Sequence, residues 1–236
     1  MYLNNWDKLV SLQIHNCNIL IMTDKRTELK QEKDDKLFYN GHEFVDLGLS
    51  VRWATLNVGA SNLWDYGQHF AWGEKQSKKY YDWKQYKFKP RFRLVTGKFT
   101  KYNTDPSKGH VDSLTTLCPE DDVANANWGG KWRMPTDEDF KELIENCTWK
   151  WIDTSNQEGY LITSNKPGYN DCSIFLPAAG TCFMDMADGY RELGYYWSSS
   201  LQAKMPVKAV ALVFDNDSYG ISDSYRFFGF TVRPVF

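Results

Sequence analysis

Apolar residues are spaced as in a helix in one segment of the chain and as in strands in several later segments. Across Asp137–Cys147 they recur at i, i+3, i+4 and i+7, which predicts a helix with one apolar stripe. The stripe consists of Phe140, Leu143, Ile144 and Cys147. Thr136 precedes the segment and Asp139 follows three residues later, so we expect a variant of the capping box at the helix start.

A second, shorter helix and several strands are also predicted. The helix extends from Pro119 to about Asn127, because proline at a first helical position followed by acidic residues suits a helix start. Residues 44–55 predict two strands joined by a turn at Gly48. The strands predicted in the last third are Tyr160–Ser164, Ser173–Leu176, Tyr195–Ser199, Val207–Phe214 and Phe230–Val235. Helices followed by antiparallel strands indicate the α+β class and not a doubly wound parallel sheet.

Two segments lack such periodicity. Residues 62–99 are rich in Trp, Tyr and Lys, which predicts long loops packed down by aromatic rings. Residues 23–36 form a run of mixed charge, which is typical of a solvated helix or a flexible leader, with an oligomerising helix as the alternative. We therefore expect a charged leader over residues 1–39 and a single domain over residues 40–236.

The composition narrows the classes of function. The chain has 236 residues, with 28 Lys and Arg against 30 Asp and Glu, and its formal net charge is −2. Nucleic-acid binding needs clustered positive charge, so we expect no nucleic-acid partner. The stretch from Leu9 to Met22 is interrupted by polar residues, and we expect neither membrane insertion nor a signal peptide there. Localisation stays open between display at a cell surface and display on a phage particle.

The sequence carries no signature of catalysis or of a cofactor. The five cysteines are an odd number without C-x-x-C spacing, and the four histidines are scattered. The run Ser198–Ser200 could hold a nucleophile, yet no paired base is visible beside it. No P-loop, G-x-S-x-G or H-E-x-x-H motif occurs. We expect a non-catalytic protein without a metal or a cofactor.

Several motifs follow one another in a fixed order over residues 40–236. They are Phe44–Thr55, Asn57–Ala60, Asp65–Gly67, Phe70–Glu74, Trp128–Thr136, Phe175–Gly180, Tyr195–Ser200 and Val232–Val235. In these motifs the chain resembles the Fibrobacter succinogenes major paralogous domain, a group abundant in Bacteroidetes with a C-type-lectin-like fold. The resemblance implies an α+β domain with two helices, small antiparallel sheets and long aromatic-rich loops that display a ligand-binding surface.

The last segment of the chain resembles the variable proteins of diversity-generating retroelements, in which adenines of the final gene segment are randomised. A frame of recurrent positions is kept from Tyr196 to Pro234, and we assign its Trp197, Arg226 and Arg233 to the scaffold. Between these positions stand residues whose codons can derive from an asparagine codon with replaced adenines. No Lys, Glu, Gln, Met or Trp occurs over residues 211–225, as such a template requires. The resemblance implies a receptor with a diversified tail.

The hairpin expected over residues 210–228, here called the closing hairpin, is predicted to have two unlike faces. Even-numbered residues from Val210 to Phe214 share an apolar face expected in the core, while odd-numbered residues from Ala211 to Asp215 share a face expected toward solvent. Substitutions at exposed positions cost little stability, and Tyr, Ser and Asp resemble paratope chemistry. We predict a surface for a protein or glycan ligand, compatible with an oligomer; a solvated hairpin without special function is the alternative. The predicted surface consists of Ala211, Val213, Asp215, Asp217, Tyr219, Asp223, Tyr225, Phe227 and Phe228.

A glycan-binding or adhesin module is the second candidate function. It would use ring faces from the loops of residues 62–86, with Trp64, Trp72 and Trp83 as the residues that stack on sugars. Calcium-dependent sugar binding would draw on Asp215 and Asp217, but two carboxylates are half of a calcium site, and we expect no metal there.

Overall fold

The computed structural model describes residues 38–88, 98–154 and 157–236 of the chain. The predicted leader lies outside the described residues up to residue 37, and its last two residues form a strand. The first sheet is antiparallel and consists of β1 (Phe38–Tyr39), β2 (His42–Val45) and β3 (Trp53–Ala54). The described residues contain two α-helices, α1 (Val123–Trp128) and α2 (Asp137–Asn146). Short 3₁₀ turns lie at Pro106–Lys108 and Pro119–Asp121.

Two further sheets contain the rest of the strands. The second sheet is antiparallel and consists of β4 (Cys147–Thr154), β5 (Gln157–Ser164) and β6 (Ser173–Pro177). The third sheet consists of β7 (Ala179–Phe183), β8 (Met186–Tyr190), β9 (Gly194–Leu201), β10 (Lys208–Phe214) and β11 (Tyr219–Tyr225). Its order is β11-β10-β9-β7-β8; β7 and β9 pair in parallel, and the other neighbours are antiparallel. Two helices with mainly antiparallel sheets confirm the α+β class.

The helix predicted over Asp137–Cys147 is confirmed as α2, and it ends one residue earlier. The Thr136 hydroxyl accepts a hydrogen bond from the Asp139 backbone N–H, and the Asp139 carboxylate accepts one from the Thr136 N–H at 2.7 Å. These reciprocal bonds satisfy donors that a helix start otherwise leaves free. Phe140 and Leu143 of the predicted stripe are fully buried, so the helix packs by this face.

The second predicted helix was wrong in its starting point. Pro119 begins a 3₁₀ turn, and α1 starts only after Asp122. The Asp122 carboxylate accepts hydrogen bonds from the N–H groups of Ala124 and Asn125, and a third from the distant Met134 N–H at 2.8 Å. An aspartate with these bonds is a strong N-cap, and it fixes the helix start four residues after the proline.

The strand predicted over Phe230–Val235 does not join any sheet. Its backbone instead makes isolated bridges to several segments, with Phe70, Tyr196 and Arg133 among its partners. Pro234 lacks an N–H and cannot donate to a ladder, but its carbonyl accepts a bond from the Ala54 N–H at 2.9 Å. The segment is therefore an extended connector that joins distant parts of the fold.

The remaining strand predictions are confirmed within a few residues, and five of the described strands lacked a prediction. Those five are β1, β4, β7, β8 and β11. The turn predicted at Gly48 is confirmed between β2 and β3, where Phe44 pairs with Ala54. The described residues between 62 and 88 contain no helix and no strand; their rings are packed inward, as predicted for aromatic loops.

The third sheet lies between two hydrophobic cores. The first core contains Leu212 and Phe214 of β10 with the apolar sides of α2 and the second sheet. The second core contains Ala209 and Ala211 of β10 with rings from the aromatic loops and α1. Both faces of β10 are consequently packed along most of its length.

Among the described residues, no helix is long and apolar enough to cross a membrane. The same residues contain no group of three or more His, Cys, Asp or Glu side chains arranged to hold a metal ion.

Candidate functional site

Residues 210–215, which belong to β10 and the tip that follows it, were predicted to have one buried and one exposed face, and only half of this prediction is confirmed. Val210, Leu212 and Phe214 are buried, as expected. The prediction that the opposite face is exposed was wrong for Ala211, whose side chain is 0% exposed, and Val213 is half-buried. The reason is the second core, which covers this face of β10 with aromatic rings from other segments.

The register of the hairpin divides the predicted surface between two faces. Tyr219 pairs with Phe214 and Ser222 pairs with Ala211. Directly opposite residues point to the same side of a sheet, so the odd-numbered residues of β11 lie on the side of Phe214 and not with Ala211 and Val213. They stay accessible because β11 is an edge strand, and Tyr219 and Tyr225 are 40% and 43% exposed.

The tip of the hairpin uses one predicted residue to build its turn. The Oδ1 atom of Asp215 accepts hydrogen bonds from the N–H groups of Asp217 and Ser218 at 2.9 and 2.8 Å. These backbone bonds, and a further one from the Ser218 hydroxyl, lower the pKa of Asp215 below its usual value. Asp217 is exposed beside it.

At the other end of the hairpin, aromatic rings from three separate segments meet. We call Trp83, Phe183, Tyr225, Phe227 and Phe228 the aromatic patch. The Trp83 ring lies 4.8 Å from the Phe227 ring and 6.1 Å from the Tyr225 ring. Phe228 stacks on Phe227 at 4.8 Å and lies 5.3 Å from Phe183. Tyr225 is exposed, whereas Trp83, Phe183 and Phe228 are half-buried.

Phe227 was predicted to contact a ligand at the surface. This prediction was wrong, because its side chain is only 7% exposed. Its ring is enclosed by Trp83, Tyr225 and Phe228, because the chain turns back toward the second core after β11. Phe227 is therefore the floor of the aromatic patch, and the other four rings form its accessible part.

The buried side chain of Arg226 anchors the backbone next to Phe227. Its guanidinium is fully buried and donates hydrogen bonds to the Tyr86 hydroxyl at 2.9 Å and to the carbonyls of Tyr102, Pro206 and Lys101 at 3.0, 2.8 and 3.2 Å. Its own carbonyl accepts a bond from the Trp72 N–H at 2.9 Å. The predicted scaffold residues Trp197, Arg226 and Arg233 are all 0% exposed, which confirms their burial.

Polar groups lie beside the aromatic patch on β10 and β11. Lys208 makes an ion pair with Asp223 at 2.6 Å, and its Nζ atom lies 5.6 Å from the centre of the Tyr225 ring. The Gln202 amide also bonds to Asp223, at 3.3 Å. Hydrogen bonding to Asp223 raises the pKa of Lys208, which stays charged at neutral pH.

Of the three tryptophans proposed to stack on sugars, one reaches this surface. The prediction that Trp72 stacks on a sugar was wrong, because its side chain is fully buried and its indole N–H donates to the Ser198 carbonyl at 2.9 Å. Trp64 packs its edge against Phe175 in the first core. Trp83 belongs to the aromatic patch. One residue of the predicted sugar-binding set, Trp83, therefore lies beside Tyr225 and Phe227 of the predicted hairpin surface.

The groups considered for catalysis have structural partners. The Ser198 hydroxyl donates to the Val210 carbonyl, and the Ser200 hydroxyl bonds to Asp137 at the start of α2. The His69 ring bonds to the Ala179 carbonyl, and burial lowers its pKa.

Phe183 is the member of the aromatic patch that the sequence did not predict. It ends β7, and a pair of backbone bonds between Cys182 and Gly229, each 2.8 Å, brings it beside Phe228. The two residues of this bridge are far apart in the chain and share no motif.

Comparison of the chain with protein-family models, with curated proteins and with solved structures finds no match.

Proposed function

We propose that the protein is a non-catalytic recognition protein with a C-type-lectin-like fold, whose protein ligand binds the aromatic patch. The observation that carries this proposal is the meeting of five rings from three segments at one surface, where Tyr225 is 43% exposed. Aromatic residues supply a large share of the binding energy in protein interfaces, and they lose few rotamers on binding.

The rigidity of the site supports the proposal. The buried guanidinium of Arg226 and the Cys182–Gly229 bridge hold the backbone on both sides of Phe227. Side chains that are already fixed lose less conformational entropy when a ligand binds, so more of the contact energy remains as affinity. The Lys208–Asp223 pair supplies a polar border, which is the usual arrangement around an apolar interface centre.

Diversification of the tail by a retroelement belongs to the same proposal. Ser222 and Asp217 have exposed side chains, where substitution costs little stability, whereas Ala211 is buried and falls outside the ligand-contacting set. The DNA downstream of the gene tests this part. A near-copy of its 3′ end, with adenines at the mismatched positions and a reverse transcriptase gene beside it, supports diversification; a downstream region without such a copy contradicts it.

A displayed random-peptide library and a glycan array test the site itself. Binders selected on the wild-type protein are then measured against Tyr225→Ala, with Phe38→Ala as the control because Phe38 is 57% exposed and lies outside the patch. We expect the Tyr225 variant to lose about thirtyfold in affinity, as for an interface hot spot of about 2 kcal/mol, and the control to lose nothing.

Near-ultraviolet circular dichroism confirms that both variants are folded. Equal binding of the selected ligands to wild type and to Tyr225→Ala would refute the site. Selective retention on neutral glycans, with loss of binding in Tyr225→Ala, would replace the protein ligand by a sugar.

A further inference from the structure

A cleft lies at the end of the hairpin that is farthest from the aromatic patch. β10 is seven residues long, which places its two ends about 20 Å apart. Three parts of the chain line the cleft: Asp153 and Glu158 near the ends of β4 and β5, the turn after β8, and the tip between β10 and β11. The cavity measures about 570 Å³, a size common for ligand pockets.

Negative charge predominates in the lining of this cavity. Asp153 and Glu158 are directly opposite each other in the β4–β5 pair, an arrangement of like charges that disfavours the fold. Arg191 relieves it, because its Nε donates to Glu158 at 2.6 Å and its Nη2 forms an ion pair with the same carboxylate. Glu192 and Asp215 add two further carboxylates to the lining.

Three of these carboxylates have no ion-pair partner in the described part of the chain, namely Asp153, Glu192 and Asp215. Four carboxylates against one guanidinium leave the cavity negative, although the whole chain has a formal charge of only −2. A concave surface with low-dielectric walls concentrates such a field and raises the local concentration of cations.

Two aromatic rings stand beside the carboxylates. Trp151 precedes Asp153 on the same face of β4, and Tyr190, 37% exposed, lines the cavity from β8. A guanidinium or ammonium group is attracted to the faces of such rings as well as to carboxylates. The lining therefore suits a basic side chain better than an anionic or a purely apolar one.

A smaller groove of about 310 Å³ adjoins the cavity and shares Leu193 and Asp215 with it. Across the third sheet, Val213 pairs with Tyr195 on one side and with Gly220 on the other, and all three residues line this groove. A Cβ atom added at Gly220 would meet nothing within 4 Å, so the groove is open there. Its size and lining suit one apolar side chain.

We propose that this double cleft binds an extended protein segment in which a basic residue, arginine or lysine, adjoins an apolar residue. The basic side chain enters the acidic cavity between Trp151 and Tyr190, and the apolar one covers Gly220. The site is separate from the aromatic patch, and the proposal does not depend on the function of that patch.

The test uses a terminally blocked peptide of alternating leucine and arginine, and the same peptide with citrulline in place of arginine. Citrulline keeps the shape of arginine and removes its charge. We expect the arginine peptide to bind the wild-type protein about tenfold more tightly than the citrulline peptide, with a preference that weakens as salt is added. The double variant Asp153→Asn/Glu192→Gln should lose this preference.

Two controls separate the cleft from general charge effects. The double variant Glu145→Gln/Asp171→Asn makes the same change in net charge at exposed carboxylates elsewhere, and it should bind like wild type. Gly220→Val narrows the groove at a position where an added Cβ atom meets nothing within 4 Å, and it should weaken binding of both peptides about fivefold.

Three results would overturn the proposal. The first is no binding of the arginine peptide to the wild-type protein, and the second is equal affinity for the citrulline peptide. The third is equal weakening by the cleft variant and the control variant. Binding of neutral oligosaccharides that competes with the peptide and survives Asp153→Asn/Glu192→Gln would assign the cleft to sugars instead. Tyr225→Ala leaves peptide binding at the cleft unchanged, so the two sites fail or succeed independently.

Discussion

Replacement of Arg226 by methionine tests how the protein holds a charge in its interior. The guanidinium is 0% exposed and forms no ion pair with a described carboxylate. Instead it donates to the Tyr86 hydroxyl and to three backbone carbonyls, and it lies 4.5 Å from the Phe99 ring and 4.9 Å from the Trp72 ring. Methionine fills a similar space and donates nothing.

The expected loss follows from these contacts. No other donor in the described part of the chain bonds to the three carbonyls, so Arg226→Met leaves them without a donor, and two of them belong to the buried residues Tyr102 and Pro206. Each such group costs about 1–3 kcal/mol, while the relief of burying a charge offsets part of the sum. We expect a net loss of about 4 kcal/mol in the free energy of unfolding, or a fall in Tm of about 8–16 °C for a chain of this size.

Equilibrium unfolding in urea measures this loss. Arg52→Met is the matched control, because Arg52 pairs with Asp46 at the surface and its removal should cost no more than about 1 kcal/mol. Both unfolding curves should have the slope of the wild-type curve, which shows that the same surface is exposed on unfolding. A loss below about 1 kcal/mol for Arg226→Met would refute the role of this guanidinium as an internal support.

Two further predictions concern stability. A Cβ atom at Gly194 would lie 2.0 Å from the Phe214 ring, so Gly194→Ala should lower the free energy of unfolding by about 3 kcal/mol through overpacking. Gly220→Ala should change the free energy of unfolding by less than about 0.5 kcal/mol, because an added Cβ atom there meets nothing. Equal melting curves for the two variants would contradict this prediction. Burial alone would raise the pKa of Asp121, but hydrogen bonds from two lysines and a tyrosine lower it. The ionised carboxylate therefore stabilises the fold at pH values above its unfolded pKa of about 4. This contribution to stability disappears as the pH falls through the lower pKa of the folded state. Asp121→Asn should therefore cost about 3 kcal/mol at neutral pH and reduce the loss of stability between pH 6 and pH 3; an unchanged pH profile in urea unfolding would contradict the assignment.

Elements with local signals could be predicted from the sequence. The helix α2 has its capping box and its apolar stripe within the twelve residues from Thr136 to Cys147, and both are confirmed except that Cys147 lies in β4. The helix α1 was placed too early, because a proline followed by acids suits a 3₁₀ turn as well as an α-helix. Its true start depends on Asp122, whose third hydrogen bond comes from Met134 and lies outside any local pattern.

The faces of the closing hairpin show where local reasoning ends. Alternation correctly placed Leu212 in the core, but it could not show that Ala211 is covered as well. That cover comes from loops more than one hundred residues earlier in the chain, whose rings carry no periodicity. The edge strand β11 was not predicted because its exposed sequence of Ser, Asp and Gly lacks an apolar alternation.

The aromatic patch was predicted in part for the same reason. Tyr225, Phe227 and Phe228 are close in the chain and belong to one predicted surface, whereas Trp83 belongs to the predicted sugar-binding set. The meeting of these residues, and the arrival of Phe183, depend on backbone bonds between segments that only the folded chain brings together. The cleft beside Asp153 is likewise lined by segments that are distant in the chain, and it has no local signal in the sequence.

The extended connector over residues 230–236 has a consequence for synthesis on the ribosome. It bonds to residues 52, 54, 58, 70, 133, 195 and 197, all of which leave the exit tunnel before it does. Until it arrives, the nascent polypeptide exposes the edges that this segment later closes, and a translation pause shortly before residue 230 would prolong that vulnerable stage. Chaperone contact with the growing chain should therefore persist until residues 230–236 have emerged.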